Sequence, residues 1–229
     1  MQKEENKLDN VVLHSLLETH KKYAIEYEGI TFYNPTYCPF GGFTSTEKNH
    51  IGIDQYATLS DDFFIVGQKP KLGNKVYIEK ELVCNQMVLS KPIELESNVE
   101  ITPIKTSTQK EEVFHLVNMV QPGYFRKKTS DLGTYFGIYI DGYLISVCGE
   151  RMQMNKYTEI SAVVTHPKHG RKGYAKQLIK HTSDHILSKN KIPFLHVAET
   201  NSLALKLYEK LGFKTRRKIS FWNIKSNQI

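Results

Sequence analysis

The sequence predicts an α/β fold, and three stretches predict it. Residues 158–165 (TEISAVVT) form a β-branched, apolar run suited to a buried strand; Pro167 stops it, and Gly170 and Gly173 open a turn. Directly after the turn, Ala175, Leu178, Ile179, Thr182 and Ile186 recur at helical spacing and put one apolar stripe on one face. Secondly, strand-like residues 135–140 and 143–151 flank Asp141-Gly142, a hairpin signal because both turn residues tolerate positive φ. Thirdly, strand-like 193–199 leads into a short helical pattern from Asn201 and a last strand-like segment, 214–224. Helices alternating with strands require a sheet with helices packed on it.

The remaining elements follow in chain order. Leu13, Leu16, Leu17 and Ala24 fit one face of a helix over 10–24, with Asp9 or Asn10 as its cap. Residues 29–45 are rich in aromatic residues, Gly and Pro and read as an ordered loop whose rings cover the core or a pocket. Segments 63–67 and 76–89 are strand-like, divided by the turn-rich 68–75, and 92–98 reads as a linker. Beyond it comes a short strand, 100–104. Thr108 with Glu111 then has capping-box spacing ahead of Val113, Leu116, Val117 and Val120, and Pro122-Gly123 ends that helix. Residues 124–132 form a basic, aromatic connector to the hairpin. The linker divides the chain into an N-terminal α/β half, 1–96, and a second half, 97–229, that reads strand, helix, three antiparallel strands, helix, strand, helix, strand.

At 229 residues the chain is long enough to bury a real core. Its charged N-terminus, MQKEENKLDN, and the lack of a run near ~20 apolar residues argue against a membrane span and for a cytoplasmic protein. Cys38, Cys84 and Cys148 are odd in number and far apart, so buried free thiols are expected rather than disulfides or a zinc site. The net charge of +7 raises the question of nucleic acid, but the basic clusters 126–128, 168–176 and 214–218 are small and separate. His181 and His185 have the spacing of two metal ligands without a third, so no metal is expected.

Strand, glycine turn and helix meet where the unpaired N–H groups of the first helical turn, the positive end of the helix dipole, Arg171 and Lys172 all favour a phosphate. The stretch His166-Pro167-Lys168-His169-Gly170-Arg171-Lys172-Gly173-Tyr174-Ala175 resembles the pyrophosphate loop of the GNAT acyl-CoA N-acetyltransferases, Arg/Gln-x-x-Gly-x-Gly/Ala. Gly173 and Ala175 match its end; Gly170 stands where an Arg or Gln is usual, and Arg171 comes one place late. Because such a loop binds mainly through backbone N–H, binding is expected to survive. Residues 201–213 (NSLALKLYEKLGF) resemble the family's Asn-x-x-Ala-x-x-Leu-Tyr-x-x-x-Gly-Phe throughout. The likeness is greatest to the branch with a glycine N-acyltransferase-like C-terminal domain and covers about 99–223. It implies a GNAT fold whose N-terminal half is a second, degenerate GNAT-like unit, since that half has no glycine turn before a helix.

The resemblance further implies an N-acetyltransferase that moves an acetyl group from acetyl-CoA to a small-molecule or peptide amine by direct attack in a ternary complex. A non-catalytic acyl-CoA-binding module is the alternative. The backbone of Val163, Val164 and Thr165 would pair with the pantetheine arm. Gly170, Arg171, Lys172, Gly173, Tyr174 and Ala175 would hold the phosphates, and Asn201 would bond the arm or cap its helix. Tyr208 is the family's usual proton donor to the leaving thiolate. Glu159 heads the strand at the spacing of a general-base glutamate, with Glu150 as competitor, and such a base would need a pKa raised by partial burial. By the same resemblance 124–132 faces the acceptor, and Tyr37, Phe40 and Phe43 could wall the acceptor cleft beside Tyr124 and Phe125.

Overall fold

The computed structural model describes residues 2–227. Its first half runs α1 (Gln2–Glu5), α2 (Val11–Leu17), β1 (Ala24–Tyr27), β2 (Ile30–Tyr33), β3 (Phe40–Gly42), α3 (Asn49–Tyr56), β4 (Asp62–Val66) and β5 (Val76–Val88). The second half runs β6 (Thr102–Pro103), α4 (Ser107–Val120), β7 (Tyr135–Ile140), β8 (Tyr143–Gln153), β9 (Tyr157–Thr165), α5 (Tyr174–Ser188), β10 (Ile192–Ala198), α6 (Ser202–Lys210) and β11 (Lys214–Ser226). The element order expected for 97–229 is the order found. No helix among the described residues is long and apolar enough to cross a membrane.

All strands join one sheet, β1-β2-β3-β4-β11-β5-β10-β9-β8-β7-β6. The linker at 92–98 is therefore not a boundary of the sheet: β5, from before it, lies antiparallel between β10 and β11, from after it. One apolar cluster likewise mixes Leu8, Val12, Tyr33 and Phe40 with Met152, Met154, Phe194 and Phe221. Burial is thus shared across the 1–96/97–229 division.

The first half departs most from expectation. Asn10 caps α2, its side chain accepting from Leu13 N, but the helix ends at Leu17 because the chain must turn into β1. The supposed loop at 29–45 contains β2, the second strand of a hairpin with β1, and strand β3, with Gly29 at φ 77 in the hairpin turn. Its rings pack in the core: Phe32 stacks on Tyr56 at 3.9 Å. That packing fixes the small residue beside it, since a Cβ on Gly41 would stand 2.3 Å from the Phe32 ring. Helix α3 carried no readable amphipathic signal.

In the second half the cap of α4 is Thr106, not Thr108. Its hydroxyl accepts from Gln109 N at 3.2 Å, and the Gln109 side chain accepts from Thr106 N at 3.0 Å. The same capping-box chemistry is thus shifted by two residues. Asp141 and Gly142, at φ 51 and 79, make the β7–β8 turn as expected. Leu178, Ile179, Thr182 and Ile186 of α5 are fully buried against the sheet.

Candidate active site

Strands β9 and β10 start as parallel neighbours and then separate. Their pairing covers only Tyr157–Glu159 against Ile192–Phe194. Beyond Glu159, β9 pairs with β8 alone, while β10 pairs with β5 from Phe194 to Ala198. The edge of β9 from Ile160 onward thus faces a gap and has no ladder partner. Within it, Ala162 adopts φ 53, and the register slips between Val147 and Gly149. This is a β-bulge, which re-aims the strand. Val163 borders the gap. Val164 is buried, its carbonyl accepting from the Ser146 hydroxyl at 2.9 Å, and Thr165 Oγ1 lies 2.7 Å from the same hydroxyl.

One end of the gap leads to the start of α5. Gly173, at φ 84, is the residue before the helix, and no side chain caps its first turn, so the leading N–H groups are open to a ligand. Arg171 takes a left-handed φ of 62 and is exposed with Gly170 and Lys172; Tyr174 and Ala175 are half-buried. A Cβ on Gly170 would meet only Pro167 O, at 3.5 Å, so this position has no steric need for glycine. An uncapped helix N-terminus behind a left-handed glycine and flanked by Arg171, Lys172 and Lys176 fits the phosphates of a nucleotide-bearing cosubstrate.

At the other end the gap closes into a cavity of about 170 Å³. The β9–β10 side supplies Glu159, Ile160, Val163 and His196, and α6 supplies Tyr208 with Asn201 before it. Aromatic walls come from Phe40, Tyr124, Phe125 and Phe221. Of the rings expected at an acceptor cleft, Phe40, Tyr124 and Phe125 are present. Tyr37 instead packs on Tyr23 at 4.6 Å, and Phe43 belongs to a core cluster of the first half.

Glu159 is not the half-buried, raised-pKa carboxyl expected at the head of the strand. It is 1% exposed. Arg151 grips it through Nε to Oε2 and Nη2 to Oε1, both at 2.8 Å, His196 Nδ1 lies 2.9 Å from Oε1, and Met152 N donates to Oε2 at 3.4 Å. Burial alone would raise its pKa, but the Arg151 charge and these hydrogen bonds outweigh that and hold it at about 2. Such a carboxylate stays ionised and is a weak proton acceptor. Its competitor Glu150 does not line the cavity. It is also buried, facing Thr134 N at 3.0 Å and Lys189 Nζ at 3.2 Å.

Tyr208 lines the cavity, its ring edge-on to Phe213, and burial raises its pKa so that it stays protonated. Asn201 both lines the cavity and caps α6, accepting from Ala204 N at 3.1 Å. His181 and His185 lie edge-on to Phe136 at 4.5 and 5.1 Å. Sequence reasoning missed Arg151 and His196. A signal existed: charged or polar residues inside apolar strand patterns must be paired when buried. Their partners, however, lie far apart in the chain.

Residues 135–222 match the family model described as FR47-like protein. No curated protein matches by sequence. Among solved structures, a protein assigned to the GNAT acetyltransferases from Novosphingobium aromaticivorans is 25% identical, with a TM-score of 0.85 over 96% of this chain and 99% of its own. A GCN5-related N-acetyltransferase from Kribbella flavida, 10% identical, superposes with a TM-score of 0.64 over 96% of this chain and 95% of that one. A GCN5-related N-acetyltransferase-like protein from Streptococcus suis, 14% identical, gives 0.62 over 94% and 93%. The chain therefore has the GNAT acetyltransferase fold over nearly its whole length and carries an FR47-like domain in its second half.

Proposed function

We propose that this protein is an N-acyltransferase that takes an acetyl group from acetyl-CoA and passes it to an amine by direct attack in a ternary complex. The observation that carries the reading is the parting of β9 from β10 after Glu159, which leaves an unpaired strand edge between an uncapped helix N-terminus and a cavity. An extended amide-bearing arm can pair with that edge as another strand would, with its phosphates at Gly173 and its reactive end in the cavity. The GNAT fold supports acyl transfer in general.

Acetyl-CoA would supply the activated acyl group as its thioester. The chain would bind the phosphates through the first-turn N–H groups of α5, with Arg171 and Lys172 adding charge. Backbone at Val163, beside the bulge, would orient the acyl carbonyl, while Asn201 holds the arm and keeps its capping bond. Tyr208, kept protonated by burial, would return a proton to the departing sulfur. The Arg151–Glu159 pair forms the cavity floor and gives it fixed polarity, so no step is assigned to Glu159 as a base.

That same pair favours a second reading, an acyl-CoA-binding module without turnover, because it removes the one carboxylate able to accept a proton in the cavity. Release of free thiol from acetyl-CoA over a panel of amines decides between them. Acetyl-CoA binding with thiol release supports the enzyme; binding without it supports the module. Because a ligand of the native state alone stabilises by RT ln(1 + [L]/Kd), an unchanged melting temperature at millimolar acetyl-CoA would overturn both.

A further inference from the structure

We propose that the acceptor is an α-amine with a neutral carbonyl on the adjacent carbon, as in a peptide N-terminus or an amino amide, and that Arg151 holds that carbonyl oxygen. The inference rests on the acyl-transfer reading and deepens it. A guanidinium carries five N–H donors. Nε–H and one Nη2–H are engaged by Glu159; the other three have no hydrogen-bond partner among the described residues. Arg151 lines the cavity, with its guanidinium carbon 4.6 Å from the centre of the Phe40 ring. The Arg151 side chain keeps 11% exposure, so these donors open onto the cavity, where an incoming oxygen can replace water on them.

Charge decides which oxygen. Arg151 and Glu159 already cancel, so a carboxylate would bring an uncompensated negative charge into a low-dielectric cavity, whereas a carbonyl brings none. Proton accounting decides which amine. The four lone-pair positions of Glu159 are taken by Arg151, His196 and Met152 N. Both nitrogens of His196 are also engaged. Gln86 Oε1 accepts from Arg216 and its Nε2 donates to Leu8 O, so Nε2 is also the donor to His196 Nε2 at 3.1 Å, and Nδ1–H of His196 points to Glu159.

The other titratable groups of the cavity, Cys84, Tyr124 and Tyr208, are kept protonated by burial. No group lining the cavity is therefore poised to strip an ammonium, and the acceptor must bring its own neutral fraction. An α-amino group titrates at about 7.7–8.0 and a lysine amine at about 10.4. At pH 7.5 roughly a quarter to two-fifths of the first and about a thousandth of the second are neutral, a difference of about two-hundredfold or more.

The test measures thiol release from acetyl-CoA at pH 7.5 with alaninamide, a tripeptide with a free N-terminus, free alanine, N-terminally blocked lysine amide and isopropylamine, which lacks the carbonyl. The expected result is kcat/KM for alaninamide and the tripeptide about a hundredfold or more above blocked lysine amide, and above free alanine. After correction for neutral fraction, alaninamide should still exceed isopropylamine about tenfold. Arg151→Lys keeps the charge opposite Glu159 but loses the fork, and should raise KM for alaninamide about tenfold while the acetyl-CoA melting shift persists.

Preference for blocked lysine amide or free alanine, equality of alaninamide and isopropylamine after correction, or an unchanged KM in a folded Arg151→Lys would each overturn the inference. Should that variant fail to fold, the comparison of wild-type rates decides by itself. Acetyl-CoA stabilisation with no turnover of any α-amino carbonyl compound also overturns it. Absence of acetyl-CoA stabilisation in the wild type would instead sink the acyl-transfer reading, and this inference with it.

Discussion

Replacing Glu159 by Gln tests whether this carboxylate holds the cavity floor or removes a proton. The structure supports two routes to the size of the effect. A carboxyl that titrates at 4.5 in the unfolded chain and at about 2 when folded adds roughly 3 kcal/mol of stability at neutral pH. Because the folded pKa is the lower one, that stability is complete above pH 4.5 and is lost as pH falls towards 2. Independently, breaking a buried ion pair by removing one partner costs about 3–5 kcal/mol, because the other charge, here Arg151, is left uncompensated. The two figures agree, so Glu159→Gln should lower the urea midpoint by the equivalent of roughly 3–5 kcal/mol at pH 7, and the variant should lose less stability than the wild type between pH 4.5 and 2. Equilibrium urea unfolding followed by fluorescence at several pH values measures both. An unchanged midpoint together with a rate loss that shrinks at high pH would refute the ion-pair argument and restore Glu159 as the base.

Gly173→Val should abolish the acetyl-CoA melting shift, since φ 84 is strained for a branched residue and its side chain would crowd the helix N-terminus; Gly170→Gln should leave the shift intact, because the site has ordinary room for a Cβ. Tyr208→Phe should lower turnover roughly ten- to a thousandfold in steady-state kinetics with acetyl-CoA stabilisation retained, at or below the range usual for one general acid. Thr106→Ala should cost about 1 kcal/mol by urea unfolding and Thr108→Ala much less, because only Thr106 makes the capping bonds. Buried His20, held neutral with a pKa of about 4, takes up its proton in the unfolded chain first. Stability should therefore fall as pH drops from 6.5 to 4, and His20→Asn should flatten that part of the profile.

By itself the sequence determined what is local. The strand at 158–165, the turn at Gly170 and Gly173, the stripe of α5 and the Asp141-Gly142 hairpin were legible because each depends on residues within a few positions of one another. Contiguity also made the pyrophosphate-loop likeness and the pattern of α6 readable. Tertiary structure decided what depends on distant partners. Short strands β2 and β3 looked like loop because β3 takes its outer partner from β4 and their rings pack on α3 and β4 rather than showing alternation of their own. Insertion of β5 between β10 and β11 followed from burial shared across the linker, which no local pattern encodes. Above all, the charge state of Glu159 was set by Arg151 on the neighbouring strand and His196 on the next. A glutamate in an apolar strand has its pKa raised by desolvation and lowered by a partner, and only the fold says whether a partner is within hydrogen-bonding distance.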